Sequence, residues 1–100
     1  MNAEDLKKRT KALSVRIVHL VETLPQSRAV ASIGSQLLRA GTSVGANYRA
    51  ACRARSTADF LSKMGIVEEE CDEVMYWIEL LVETGKLDGA CSAALLKEAE

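Results

Sequence analysis

The sequence predicts an all-α protein, an antiparallel up-down bundle of four helices forming one domain over residues 1–100. Three observations carry this. Apolar residues return at alternating spacings of three and four along most of the chain, the period of one helix face. Only 4% of residues are aromatic and one is proline, which leaves little material for a sheet. Apolar residues make up 48% of 100 residues, enough to bury a core without disulfides or metal and too many for a disordered chain.

The first helix is expected over about 3–23. Leu6, Thr10, Leu13, Ile17, Leu20 and Leu24 fall on one face, and Leu24-Pro25 ends it because a residue before proline is pushed out of the α region. The second is expected over about 27–54, with Ser27 as N-cap. Its seam reads Val30, Ile33, Leu37, Ala40, Val44, Asn47, Ala51, Ala54, and a second stripe beside it reads Gly34, Leu38, Gly41, Gly45, Tyr48, Cys52. A glycine inside a helix costs about 1 kcal/mol against alanine, so Gly34, Gly41 and Gly45 together cost about 3 kcal/mol. Close approach of another helix backbone would offset that. A loop at Gly41-Thr42-Ser43 is the alternative; the unbroken apolar register across 40–47 favours a continuous helix.

The third helix is expected over about 57–83. Ser56-Thr57-Ala58-Asp59 fits an N-cap with an acid in the first turn, and Thr84-Gly85 fits a stop. Phe60, Met64, Val67, Cys71, Val74, Ile78 and Leu81 form its seam. Leu61, Met75, Trp77 and Val82 extend the apolar surface beyond one seam, a surplus that fits a subunit interface. The fourth helix is expected over 88–100 from Leu87, Ala90, Cys91, Ala94 and Leu95, and its pattern is still running at the last residue.

The net charge is −1, so global charge does not make the chain a nucleic-acid binder. The distribution is uneven. Residues 1–28 hold six basic and three acidic side chains, residues 39–63 hold five basic and one acidic, and residues 68–83 hold seven acidic and no basic ones. Cys52, Cys71 and Cys91 are odd in number, lack any CxxC pair, and are expected as reduced, buried thiols. No secretory leader follows Lys7-Lys8-Arg9, and no run approaches the roughly twenty apolar residues of a membrane span. A cytoplasmic protein without membrane contact is the expectation.

Catalytic patterns are sparse. His19 is the one histidine and has no cysteine or acid at metal-ligand spacing. The three cysteines sit on apolar stripes, where a thiol behaves as a small hydrophobe. Gly41-Thr42-Ser43-Val44-Gly45 lacks the lysine and the preceding strand of a phosphate loop. Glu68-Glu69-Glu70, Asp72 and Glu73 lack the histidines of a di-metal carboxylate bundle and read as a solvated face or as partners for arginine. The expectation is no enzyme, no metal, no cofactor and no small-molecule substrate.

Two features remain. Asn47 stands in an apolar seam, as a register device or as a locally satisfied amide. Arg49, Arg53, Arg55 and Lys63 gather at the corner between the second and third helices, with Arg39 farther along. They form a phosphate-binding patch, or they pair with the acidic third helix. No aromatics are interleaved with them for stacking on RNA bases.

Leu24-Pro25, then Gln36 to Arg49 (QLLRAGTSVGANYR), then Ala51-Cys52-Arg53-Ala54-Arg55-Ser56, Asp59-Phe60 and Glu79-Leu80-Leu81, together resemble the bacterial four-helix-bundle family encoded in intervening sequences of 23S ribosomal RNA genes. The resemblance spans about residues 10–95. It implies an antiparallel four-helix bundle assembled as a ring-like homopentamer, and a family with no established enzymatic activity. It further implies a relation in fold to the accessory protein of diversity-generating retroelements, which partners a reverse transcriptase and binds nucleic acid. The fourth helix here is shorter than the family's. The function expected is a non-catalytic oligomeric binding module that serves as a nucleic-acid-associated adaptor for RNA, DNA or a nucleic-acid enzyme. The alternative is a protein-binding or structural oligomer without nucleic-acid contact.

Overall fold

A computed structural model of the chain describes residues 2–90 and residue 97. Those residues form three long helices and no strand: α1 (Ala3–Glu22), α2 (Arg28–Ala51) and α3 (Thr57–Glu83). Each begins on a side-chain cap that satisfies one of the free N–H groups of its first turn. Asn2 Oδ1 accepts from the Asp5 N–H at 2.9 Å, Ser27 Oγ from the Val30 N–H at 3.1 Å, and Ser56 Oγ from the Asp59 N–H at 3.1 Å.

Two ends differ from expectation or sharpen it. α2 stops at Ala51, three residues early: Arg53 and Ala54 donate to Ala50 and Ala51 in tightened i to i−3 bonds that unwind the helix into the turn. α3 closes in a Schellman motif. Gly85 takes φ +74°, its N–H reaches the Val82 carbonyl at 3.0 Å, and the Lys86 N–H reaches Leu81 at 2.8 Å. Gly85 is glycine because an L side chain is strained there. Asp88 Oδ1 then accepts from the Ala90 N–H at 2.9 Å and opens a helical turn at Gly89 and Ala90. Apart from that turn and the helical Lys97, the fourth helix expected over 88–100 lies outside the described residues.

α2 is the middle element. α1 and α3 each pack along it, while no Cα of α1 comes within 8 Å of a Cα of α3. The core is made by Leu13 and Ile17 of α1, by Leu37, Ala40, Val44 and Tyr48 of α2, and by Val67, Val74, Ile78 and Leu81 of α3. α2 runs unbroken through Gly41-Thr42-Ser43, so the loop alternative falls. Phe60 is the departure on α3: expected in the seam, it is 39% exposed, and Leu61 beside it is 62% exposed. Both stand in the first turn of α3, just after the turn that ends α2.

Candidate nucleic-acid interface

The glycines of α2 determine how close α1 comes. A Cβ built on Gly41 would stand 2.6 Å from Ile17 Cδ1 and 2.7 Å from Ile17 Cγ2, closer than carbon atoms pack. A Cβ on Gly45 would stand 3.1 Å from Ser14 Oγ and 3.3 Å from the Thr10 carbonyl oxygen. These two residues therefore face a helix of the same subunit. Ser14 Oγ donates to the Gly41 carbonyl at 2.8 Å, a hydrogen bond that only this separation allows. Gly34 belongs to the same stripe and is buried, but a Cβ there would make ordinary contacts at 3.6 Å with Val21 and 3.7 Å with Leu24. Close packing does not require glycine at that position.

The same approach creates a groove. Lys7, Lys8 and Lys11 of α1 and Arg49 in the last turn of α2 line it, with Ser14, Thr42, Gly45 and Ala46 between them, around a volume of about 440 Å³. Lys7 is held by Glu4 at 3.3 Å. Among the described residues no carboxylate pairs with Lys8, Lys11 or Arg49. Thr42 Oγ1 donates to the Leu38 carbonyl at 2.8 Å, and the Ser14 proton is already committed to Gly41. The free donors of the groove are thus ammonium and guanidinium groups.

The structure divides the five basic residues singled out from the sequence. Arg49 lines the groove. Arg53 and Arg55 are exposed in the turn at the same end of the molecule, with no ion-pair partner among the described residues. Arg39 is elsewhere and occupied: its guanidinium meets Glu70 at 3.1 Å and also bonds Glu73, both on α3, while its Nε donates to Gln36 Oε1 at 3.3 Å. Lys63 is tied to Asp59 one turn earlier at 2.6 Å. Arg39 is thus paired with the acidic third helix, and Lys63 is paired within the first turns of its own helix. Asn47 is a locally satisfied amide, its Nδ2 donating to the Ser43 carbonyl at 2.9 Å and to Ser43 Oγ at 2.7 Å.

The three lysines of α1 had not been singled out as site residues. The signal was present in the surplus of basic residues over 1–28 and in the hairpin at Leu24-Pro25. Folding the chain back there sets residues 7–11 opposite residues 45–49.

Other chemistry is thin among the described residues. No group of three or more His, Cys, Asp or Glu side chains is placed to hold a metal. His19 Nδ1 lies 3.8 Å from Glu22 on the exposed side of α1. Cys52 and Cys71 are free and half-buried, and Cys91 lies outside the described residues. Burial pushes the Cys71 thiol above its ordinary pKa, and the nearby Glu68 and Glu70 carboxylates push it further, which disfavours the thiolate. No described helix is long and apolar enough to cross a membrane.

A family model described as 23S rRNA-intervening sequence protein matches residues 4–100. The chain belongs to that family. It is also similar to a crystal structure of a protein of unknown function from the S23 ribosomal protein family of Bacteroides thetaiotaomicron, with 34% sequence identity and a TM-score of 0.91 over 99% of this chain and 88% of that one. No curated protein matches. The all-helical fold and the family thus agree with the sequence reading, and neither comparison states an activity.

Proposed function

We propose that this chain is a non-catalytic, oligomeric binding module that works in the cytoplasm as a nucleic-acid-associated adaptor. The single observation that supports this is the groove in which Lys7, Lys8, Lys11 and Arg49 converge from two helices, with Arg53 and Arg55 exposed at the same end. Such a concentration of positive charge on a molecule of net charge −1 attracts a polyanion to one place. The partner is RNA, DNA or a nucleic-acid enzyme. The kinship in fold with the accessory protein of diversity-generating retroelements, drawn from the resemblance above, points the same way. By that resemblance the assembly is a four-helix bundle repeated in a homopentameric ring. No metal, cofactor or small-molecule substrate takes part.

The second reading is a structural or protein-binding oligomer. It draws on Arg39, which shows that a basic residue of α2 can be consumed by the acids of α3. Light scattering of the purified chain, with and without bacterial RNA, separates the two. A mass of several chains with RNA co-eluting at low salt and leaving at high salt supports the adaptor. An oligomer that ignores RNA supports the second reading. A monomer that ignores RNA removes both.

A further inference from the structure

We infer that the groove between α1 and α2 takes the sugar-phosphate backbone of a double helix and reads no bases. This rests on the nucleic-acid reading above and narrows it to one ligand form and one set of side chains. The donors decide it. Ser14 and Thr42, which could have fixed a phosphate oxygen, spend their protons on the carbonyls of Gly41 and Leu38. Gly45 and Ala46 lie inside α2, where backbone N–H groups are already bonded to carbonyls four residues back. What remains is the ends of Lys8, Lys11 and Arg49, and of Lys7 shared with Glu4, long side chains that supply charge without a fixed geometry. A small phosphate compound needs a few convergent, preset donors. A polymer with regularly spaced phosphates needs only charge held at the right spacing. Lys7 and Lys11 are one helical turn apart, roughly 6 Å along a rigid axis, against a duplex that offers a phosphate about every 1.7 Å of its own.

The aromatic residues argue against a single strand. Proteins that hold single-stranded nucleic acid stack its bases on exposed rings. No ring lines this groove. Tyr48 is buried, and Phe60 borders a separate recess with Leu6 and Cys52. Tyr76 and Trp77 pack edge to face on α3, where Trp77 Nε1 donates to Glu73 at 3.4 Å. These rings therefore sit away from the basic groove or beside a carboxylate that repels phosphate.

The test is fluorescence anisotropy of the full chain, over a series of salt concentrations. The probes are short RNA and DNA duplexes, each in two unrelated sequences, and unstructured single strands of the same length. Duplex of either kind should bind at least about tenfold more tightly than single strands, since stacking is missing from the site. The two sequences of one duplex type should bind equally. With phosphate contacts from the unpaired Lys8, Lys11 and Arg49, and a fourth where phosphate displaces Glu4 from Lys7, the plot of log K against log salt should slope at about −2.7 to −3.6 for duplex DNA, and Lys8→Ala, Lys11→Ala and Arg49→Ala should each reduce the slope by about 0.9. Circular dichroism checks that these exposed substitutions leave the helices intact. A preference for single strands, or for one sequence, overturns the inference while leaving nucleic-acid binding in place. So does a slope that responds to Arg53→Ala and Arg55→Ala but not to Lys8→Ala or Lys11→Ala. Absence of binding to every probe removes the nucleic-acid reading itself, and this one with it.

Discussion

The two faces of α2 solve the same packing problem differently. Toward α1 the contact is made by small residues: Gly41 and Gly45 let Ile17, Ser14 and Thr10 come against the α2 backbone, and a hydroxyl-to-carbonyl hydrogen bond crosses the gap. Toward α3 the core is made by larger side chains, Leu37 and Val44 of α2 with Val67, Val74, Ile78 and Leu81 of α3, and its rim is closed by Arg39 clasping Glu70 and Glu73. The difference also governs charge. α3 carries carboxylates level with Arg39 and neutralises it, whereas α1 carries lysines level with Arg49 and adds to it. A basic residue of α2 is therefore structural or available to a ligand according to the helix it faces.

Breaking the α1 face should have the largest effect. Gly41→Ala would gain about 1 kcal/mol of helix propensity, yet its methyl would land on Ile17, which is fully buried and cannot move aside. Overpacking of this kind costs about 1–3 kcal/mol, and with the shared space taken up by Cγ2 and Cβ of Ile17 as well as its tip the upper end applies, so a net loss of about 2 kcal/mol is expected in urea unfolding. Ile17→Ala in the same chain should make the second substitution much cheaper than it is alone, because the two positions share one space. Additive losses in that double-mutant cycle would mean that α1 does not rest on Gly41.

The α3 face should respond about half as strongly, and in a different property. Arg39→Ala leaves Glu70, only 14% exposed, beside Glu73 without its counter-ion, and a loss of about 1 kcal/mol is expected, the upper end for a partly exposed pair. Nucleic-acid binding should be unchanged. Arg49→Ala should do the reverse, weakening binding and leaving the urea midpoint within about 0.5 kcal/mol of the parent. If Arg39→Ala weakened binding as much as Arg49→Ala does, the contrast between the two faces of α2 would be lost.

Helix periods, the caps at Ser27 and Ser56 and the stop at Gly85 were legible because they depend on neighbours in sequence. The continuity of α2 was legible because the apolar register does not slip at Gly41-Thr42-Ser43. The division of the arginines was not. Whether Arg39 meets Glu70 depends on how α2 and α3 lie against each other, which no local pattern records. The groove was missed for the same reason, since Lys8 and Arg49 are far apart in sequence and meet only through the hairpin. The exposure of Phe60 was not legible, because its period continues the α3 seam into a first turn whose cover depends on how the helices lie together.

A smaller effect of opposite sign sharpens the contrast among glycines. Gly34→Ala puts a methyl at ordinary contact distance from Val21 and Leu24, and Gly65→Ala puts one into open space. Both should stabilise the chain by about 0.5–1 kcal/mol through helix propensity and the stiffer unfolded chain, read as a rise in the urea midpoint. A loss at Gly34 comparable to that at Gly41 would show that the whole glycine stripe, and not its middle, sets the approach of α1.

The smallest expected effect is a pH dependence carried by groups that pack from α2 and α3. Cys71 on α3 and Tyr48 on α2 both have raised pKa values, each chiefly because burial disfavours the charged form; the carboxylates of Glu68 and Glu70 add to it at Cys71, and the Cys52 side chain adds to it at Tyr48. A group that holds its proton more tightly when folded contributes in full below its unfolded pKa and loses that contribution as pH rises through the folded one. Stability should therefore be flat through neutral pH and decline above about 8.5, where an ordinary thiol begins to ionise. Thermal melts across the alkaline range check this, and Cys71→Ala should delay the decline to the range where tyrosine ionises. An unchanged alkaline profile in Cys71→Ala would assign the decline to Tyr48, and so to the end of α2 beside the basic groove instead of to the acidic surface of α3.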